Sequence, residues 1–414
     1  MTYIAEPLKI GTIDFKNRII KGAMSEALAN YAGQPNHLHF GLYEAWAKGG
    51  LGCAITGNVM VDLRAKNEPG VVVVETERDL EQLTTWANIG KKYGMIQLIQ
   101  LSHPGRQCPK GLNHETVAPS AIPFSPILAT TFGTPRALEE SEILDIIQRF
   151  AESARICEKA GFEGVQLHGA HGYLISQFLS PLTNKRTDQW GGSIENRMRF
   201  LLEIYKAVRA KTSEQFIVSV KLNSADFQRG GITEEEVVTV FKAIDVAGID
   251  LIEISGGTYE APAMAGAKAE KRKESTIARE AYFLDFAEKI RKEVKCHLMV
   301  TGGFRTAKGM NAALQSGACE FIGIARPLAV ETDVSDRLIA GQDVRYAVEQ
   351  IKTGIPFVDK MAIMEILWYA AQFKAIGEGK RPNPKLSPLK VFLNYAKNNI
   401  KAVIQGRVNS RKSA

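Results

Sequence analysis

A chain of 414 residues with 45% hydrophobic and 23% charged positions can bury one large core and has ordinary globular composition, which excludes disordered, collagen-like and coiled-coil architectures. No apolar run approaches the roughly 18 to 20 residues a membrane-spanning helix needs, and the start MTYIAEPLKI carries neither a basic leader nor an apolar signal core, so an unexported, cytoplasmic protein is expected. The net charge of +7 does not mark a nucleic-acid binder: nine Lys or Arg and no Asp or Glu lie from Gly379 onward, which leaves the rest at about −2.

Strands are predicted at 18–24, 52–61, 95–101, 164–168, 216–223, 251–257, 297–303 and 321–325, where short runs rich in β-branched residues recur. Between them, apolar residues at spacings of three and four predict helices such as Glu140 to Ala160, Ile194 to Lys211, Glu234 to Ala247 and Ala281 to Val294. Eight strand-then-helix units without a composition break predict a closed (β/α)8 TIM barrel over residues 1–340, with an open doubly wound sheet as the alternative. Two connections, Ser102 to Ala137 and Thr258 to Arg279, are long enough to be lids or binding loops. The second is rich in Lys and Arg, suited to a nucleotide phosphate or to a solvated flap. Residues 341–414 form a C-terminal helical and basic extension, read as packing on the barrel or on a second subunit, so that a homo-oligomer stays open. Attachment to a membrane surface through a basic amphipathic helix is the other reading.

In such a barrel the chemistry belongs to the carboxyl ends of the strands. The fourth predicted strand ends in His168, Gly169, Ala170, His171, Gly172, Tyr173. Two imidazoles three positions apart at a strand end can donate to one oxygen, and a tyrosine with a pKa near ~10 keeps a proton it can give. Metal ligation and plain core packing are the competing readings; neither a thiolate pair nor an HExxH helix accompanies the histidines. The five cysteines contain no CxxC pair and leave one over, so no disulfide framework, no thiolate metal cluster and a reducing compartment are expected.

Gly302 and Gly303 close the seventh strand ahead of a helix at Thr306 to Gln315, and Ala325 and Arg326 close the eighth. Small residues, a helix N-terminus and an arginine at these two strand ends suit a phosphate, although a tight turn explains the glycines alone. Asn58, Gln100 and Lys221 interrupt the second, third and fifth strands. A buried lysine needs an anion and a buried Gln needs both a donor and an acceptor. A flat heterocyclic cofactor supplies both; a misplaced register that turns them to water is the alternative.

EPLKIGTIDFKNRIIKGAM near the start, IQLSHPGRQ after the third strand, and HGAHGYLISQFLSPLTNKRTDQWGGSIENRMRF after the fourth, followed in order by KLNSADF, VTGGFRTA and FIGIARPL, resemble the Old Yellow Enzyme family of FMN-dependent NAD(P)H oxidoreductases over about residues 4–335. The resemblance implies FMN as cofactor and NADH or NADPH as reductant. It implies that Ala23, Met24 and Ser25 meet the flavin ring, that Asn58 lies near it, and that Gln100 lies at its pyrimidine edge. Lys221 falls beside N1 and O2, where the family often has an arginine. Gly303, Ala325 and Arg326 would hold the phosphate. His168 and His171 would bind the carbonyl or nitro oxygen of an electrophilic alkene that receives hydride at its β carbon, and Tyr173 would be the proton donor. An oxidase or demethylase using O2 or another acceptor, and a non-catalytic scaffold, are the alternative functions.

Overall fold

A computed structural model of the chain describes residues 3–126, 128–226, 228–256, 283–346, 351–355, 359, 363–395 and 397. The predicted loop at 258–279 and the basic end beyond residue 397 lie outside these residues. Eight parallel strands form the centre: β1 (Ile19–Lys21), β2 (Cys53–Met60), β3 (Ile96–Ser102), β4 (Gly164–Gly169), β5 (Ile217–Asn223), β6 (Leu251–Ser255), β7 (His297–Thr301) and β8 (Phe321–Ile324). Each pairs with its sequence neighbours, and β8 returns to β1 through Ile322 opposite Ile19, so the barrel is closed. The open-sheet alternative is thereby excluded.

The surrounding helices are α1 (His37–Lys48), α2 (Leu80–Lys92), α3 (Glu140–Ala160), α4 (Ile194–Lys211), α5 (Glu234–Ala247), α6 (Leu284–Ile290), α7 (Ala307–Gln315) and α8 (Val334–Ile339). Helices α3, α4 and α5 run from end to end as predicted, because their signals are local. The Thr233 hydroxyl accepts from the Glu236 amide while Glu236 reaches back to Thr233, and α5 stops at Gly248, whose φ of 99° a side chain would strain. Helix α6 is shorter than predicted: residues 281 and 282 are outside the described set, and after Ile290 the chain continues as turns.

Alternate residues of the strands divide the core in two. Val165, Leu167, Val218, Val220, Ile252 and Ile254 belong to the outer core shared with the helices. Ile20, Cys53, Leu98, Ile217, Met299 and Phe321 pack inside the barrel near its amino end, where Ile10 and Phe15 of the hairpin Leu8–Ile10 and Ile13–Phe15 join them and plug that mouth. Among the described residues the amino-end mouth is filled, which leaves the carboxyl-end rim to receive ligands.

The chain then adds a helix beyond the barrel, α9 (Ile363–Gly377), which lies against α1. The Trp46 and Phe373 rings pack edge to face with centroids 5.6 Å apart, and a Cβ at Gly41 would fall inside contact distance of the Gly377 carbonyl. The segment after α9 is tied back to it: Gln372 donates to the Asn383 carbonyl at 2.7 Å and accepts from the Asn383 amide at 2.8 Å. Among the described residues no helix is long and apolar enough to cross a membrane.

Candidate active site

Above the apolar layer the inward positions turn polar, and one connected network crosses four adjacent strands. Gln100 on β3 donates to Gln166 on β4 at 2.8 Å, Gln166 donates to Glu253 on β6 at 2.9 Å, and Lys221 on β5 lies 3.0 Å from the other Glu253 oxygen. Lys221 and Glu253 are almost fully buried, so the carboxylate is the anion the lysine requires. The partners expected from a cofactor are thus supplied in part by the chain itself. Asn58 departs from simple alternation because the register of β2 shifts between Ile55 and Asn58; its buried side-chain nitrogen has no hydrogen-bond partner among the described residues.

One layer higher stand the two histidines and the tyrosine. His168 is inward on β4; His171 follows in the left-handed region, φ 60°, a conformation that costs a non-glycine residue about 1 kcal/mol or more. It is held there by Gln107, which donates to its carbonyl at 2.8 Å, and by Asn223, which accepts from its amide at 3.3 Å. The turn brings three rings together: His168 lies 5.3 Å from His171 and 4.5 Å from Tyr173, centroid to centroid. Burial, reinforced by the Lys221 charge, holds both imidazoles far below their usual pKa, so both are neutral at pH 7. The Ala170 amide donates to His168 Nδ1 at 3.3 Å, which assigns the ring proton to Nε2. His171 Nε2 meets the Ser255 hydroxyl at 2.8 Å. The Tyr173 hydroxyl accepts from Asn67 at 3.2 Å, and next to Asn67 the Glu68 carboxylate receives the Ser25 hydroxyl.

A cleft of about 230 Å³ opens from this layer toward the ends of β7 and β8. Ala23, Met24, Ser25, His171 and Lys221 line one part of it, and Gly303, Ala325 and Arg326 line the other. His168 adjoins it through the His171 ring and Tyr173 stands behind His168, whereas Gln100 lies below in the network and Asn58 borders a small separate pocket with Glu26 and His39. At the β7 and β8 end, Gly302 and Gly303 have φ of 112° and 97°. At Gly323 a Cβ would run into the Thr301 hydroxyl, so only glycine keeps that wall open. Helix α9 supplies Glu365, Ile366 and Tyr369 to the same end, next to Arg326.

The sequence reading did not single out Glu253, Gln166, Asn67, Glu68, Thr301, Ser255 or the α9 residues. Glu253 in LIEIS and Gln166 in GVQLH carry the same signal that marked Lys221, a polar residue in an apolar strand. Among the described residues no cluster of three or more His, Cys, Asp or Glu side chains could hold a metal ion.

The cleft fits FMN: a glycine-lined end beside an arginine suits a phosphate, the buried Thr301 hydroxyl on its wall has no partner among the described residues, and the other end is bordered by a lysine and the neutral imidazole of His171. A closed barrel with such a cleft at the carboxyl ends of its strands is the arrangement of a barrel enzyme that holds a phosphate-bearing cofactor. Compared with known proteins, the chain matches the NADH:flavin oxidoreductase / NADH oxidase family over residues 4–344 and belongs to it, as an FMN-dependent enzyme that uses NADH or NADPH. It is 38% identical over 348 residues to the NADH-dependent flavin oxidoreductase of Hypocrea jecorina, covering 80% of this chain and 86% of the relative. To the NADH oxidase of Thermoanaerobacter brockii it is 33% identical over 329 residues, 78% of this chain but 49% of that protein. Among solved structures, a 2-naphthoyl-CoA reductase in complex with 2-naphthoyl-CoA aligns with a TM-score of 0.77 at 27% identity, covering 90% of this chain and 58% of that chain. The old yellow enzyme homologue from Zymomonas mobilis shares the fold, with a TM-score of 0.70 at 24% identity over 86% of this chain and 95% of that chain.

Proposed function

We propose that the protein is an ene-reductase, which saturates the activated double bond of an α,β-unsaturated carbonyl compound at the expense of NAD(P)H, with Tyr173 as proton donor. FMN in the cleft, with Gly303, Ala325 and Arg326 at its phosphate and Ala23, Met24, Ser25 and Lys221 around its ring, would supply hydride transfer from the nicotinamide to the alkene; Gln100, in the network below, and Asn58, on the separate pocket, do not line that cleft. The observation that carries this reading is the packing of His168, His171 and Tyr173 into one group with both imidazoles neutral.

A neutral imidazole donates a hydrogen bond without being consumed as an acid, so the two rings hold the substrate oxygen and are strongest where negative charge builds on it. For His168 that donor is Nε2–H. His171 Nε2 exchanges its Ser255 contact for the substrate oxygen. Tyr173 gives its proton to the α carbon, and the Asn67 amide, donating to the phenol oxygen at 3.2 Å, stabilises the charge left behind.

The test is stopped-flow kinetics with each nicotinamide, followed by reoxidation with enones, nitro compounds or oxygen. Tyr173→Phe is expected to slow reoxidation by enones on the order of 10² and to spare reduction by NAD(P)H. Unchanged enone turnover across several substrates refutes the acid role. Reoxidation by oxygen alone transfers the protein to the oxidase reading.

A further inference from the structure

The family match ends at residue 344, yet α9 beyond it forms part of the cleft wall. Three facts bear on what that wall does. Glu365 and Tyr369 lie four positions apart on one face of α9, and both line the end of the cleft that also holds Gly303, Ala325 and Arg326. The Tyr369 side chain is 3% exposed, and its hydroxyl has no hydrogen-bond partner of normal geometry among the described residues. One Glu365 carboxylate oxygen is buried without a partner as well. A buried hydroxyl without a partner costs roughly as much as a lost hydrogen bond, so it signals a group that is satisfied by something else.

Arg326 decides what that group is. Burial pushes the Tyr369 phenol well above its usual pKa while the adjacent guanidinium pulls the other way, so Tyr369 keeps its proton and is a donor at neutral pH. A phenol donor beside an arginine at a glycine-lined strand end is complementary to an anion with several acceptor oxygens. Packing also holds α9 in place: the Gly41–Gly377 approach and the Trp46–Phe373 contact fix it to α1, and the Trp368 indole donates to the Leu386 carbonyl at 2.8 Å.

We infer that α9 is a wall of the FMN phosphate site, with the Tyr369 hydroxyl donating to a phosphate oxygen that Arg326 also holds and with Glu365 opposing the phosphate charge. The inference rests on the assignment of the phosphate to Gly303, Ala325 and Arg326. It gives the extension a part in cofactor selection: it rewards a flavin that carries a phosphate, and Glu365 sets how strongly.

The experiment compares FMN with riboflavin, the same ring without the phosphate, by titrating flavin-free full-length protein and following quenching of flavin fluorescence at pH 8. Tyr369→Phe is expected to weaken FMN binding roughly 10-fold or more and to leave riboflavin binding unchanged. Glu365→Gln, which removes a like charge facing the phosphate, is expected to tighten FMN by about 3- to 10-fold, again without effect on riboflavin. Unchanged FMN binding in Tyr369→Phe, or equal losses for the two flavins from a disturbed helix, overturns the inference, as does a Glu365→Gln variant that binds FMN no more tightly. Arg326→Ala separates the two levels. A selective loss of FMN there, with a silent Tyr369→Phe, sinks the α9 wall and leaves the phosphate site standing; no selective loss sinks both.

Discussion

Glu253→Gln tests whether the charge inside the barrel is held by the chain itself. Lys221 Nζ is 3.0 Å from Glu253, and at an effective dielectric constant near 20 that separation is worth about 5 kcal/mol of attraction. The amide keeps the size of the carboxylate and can still accept from Gln166, but it leaves the lysine without its counter-charge. Lys221 reaches the cleft and recovers some hydration there, so the expected loss is about 3 kcal/mol. Lys221→Met alone strands the carboxylate and costs a similar amount. Lys221→Met/Glu253→Gln removes both charges and is expected to cost no more than either single change, a coupling of about 3 kcal/mol. Urea unfolding of the four flavin-free proteins, with parallel fluorescence and circular dichroism to check that one transition is followed, measures the cycle. Additive single losses, or a Glu253→Gln loss below about 1 kcal/mol, refute the reasoning, because either result means that the pair is solvated or broken.

The interface of α1 with α9 is expected to be intolerant of one methyl group: Gly41→Ala improves the helix propensity of α1 but drives a Cβ into the Gly377 carbonyl, for a net loss of about 1–3 kcal/mol and faster amide exchange in α9. Unaltered exchange in α9 contradicts that packing. Glu68, pushed up to about 7 mainly by burial, with the Glu26 charge adding and the Ser25 hydrogen bond opposing, carries a pH signature. A carboxyl whose folded pKa exceeds its unfolded value stabilises the fold below the unfolded value, near ~4.5, and this contribution is lost as pH rises to about 7. Glu68→Gln is therefore expected to flatten the stability profile between these limits and to exceed the wild type at pH 8 by up to about 3 kcal/mol; identical profiles rule out the burial of that charge.

Sequence periodicity revealed the barrel because each β/α unit is specified locally. Helix α3 opens with Glu139 and Glu142 in mutual capping and closes at Gly161 with φ 98°, and such marks need no knowledge of the rest of the fold. His168, His171 and Tyr173 were legible as polar residues at a strand end, and Lys221 and Gln100 as polar residues within strands. What the letters could not show was who answers whom. Lys221 and Gln100 need partners, which the letters point to a ligand for, whereas Glu253 and Gln166 supply part of them across the barrel, a pairing fixed by strand order and stagger. Asn58 stands out as a polar residue within a strand, but the side it faces depends on the register shift in β2, which the letters do not encode. Glu365 and Tyr369 stand about 40 residues beyond Arg326 in a segment read as packing. Their place on the cleft follows from how α9 docks on α1, and hydrophobic spacing does not encode that angle.

The cleft draws its walls from residues 23–25 near one end of the described chain and from residues 365–369 near the other. Such a chamber exists only after the last stave and the helix outside it have met the first, so a half-folded chain offers the pigment nothing to grip. FMN is therefore expected to act as a latch on the finished molecule and not as a seed for its assembly, slowing unfolding far more than it speeds folding, which rates with and without FMN would measure.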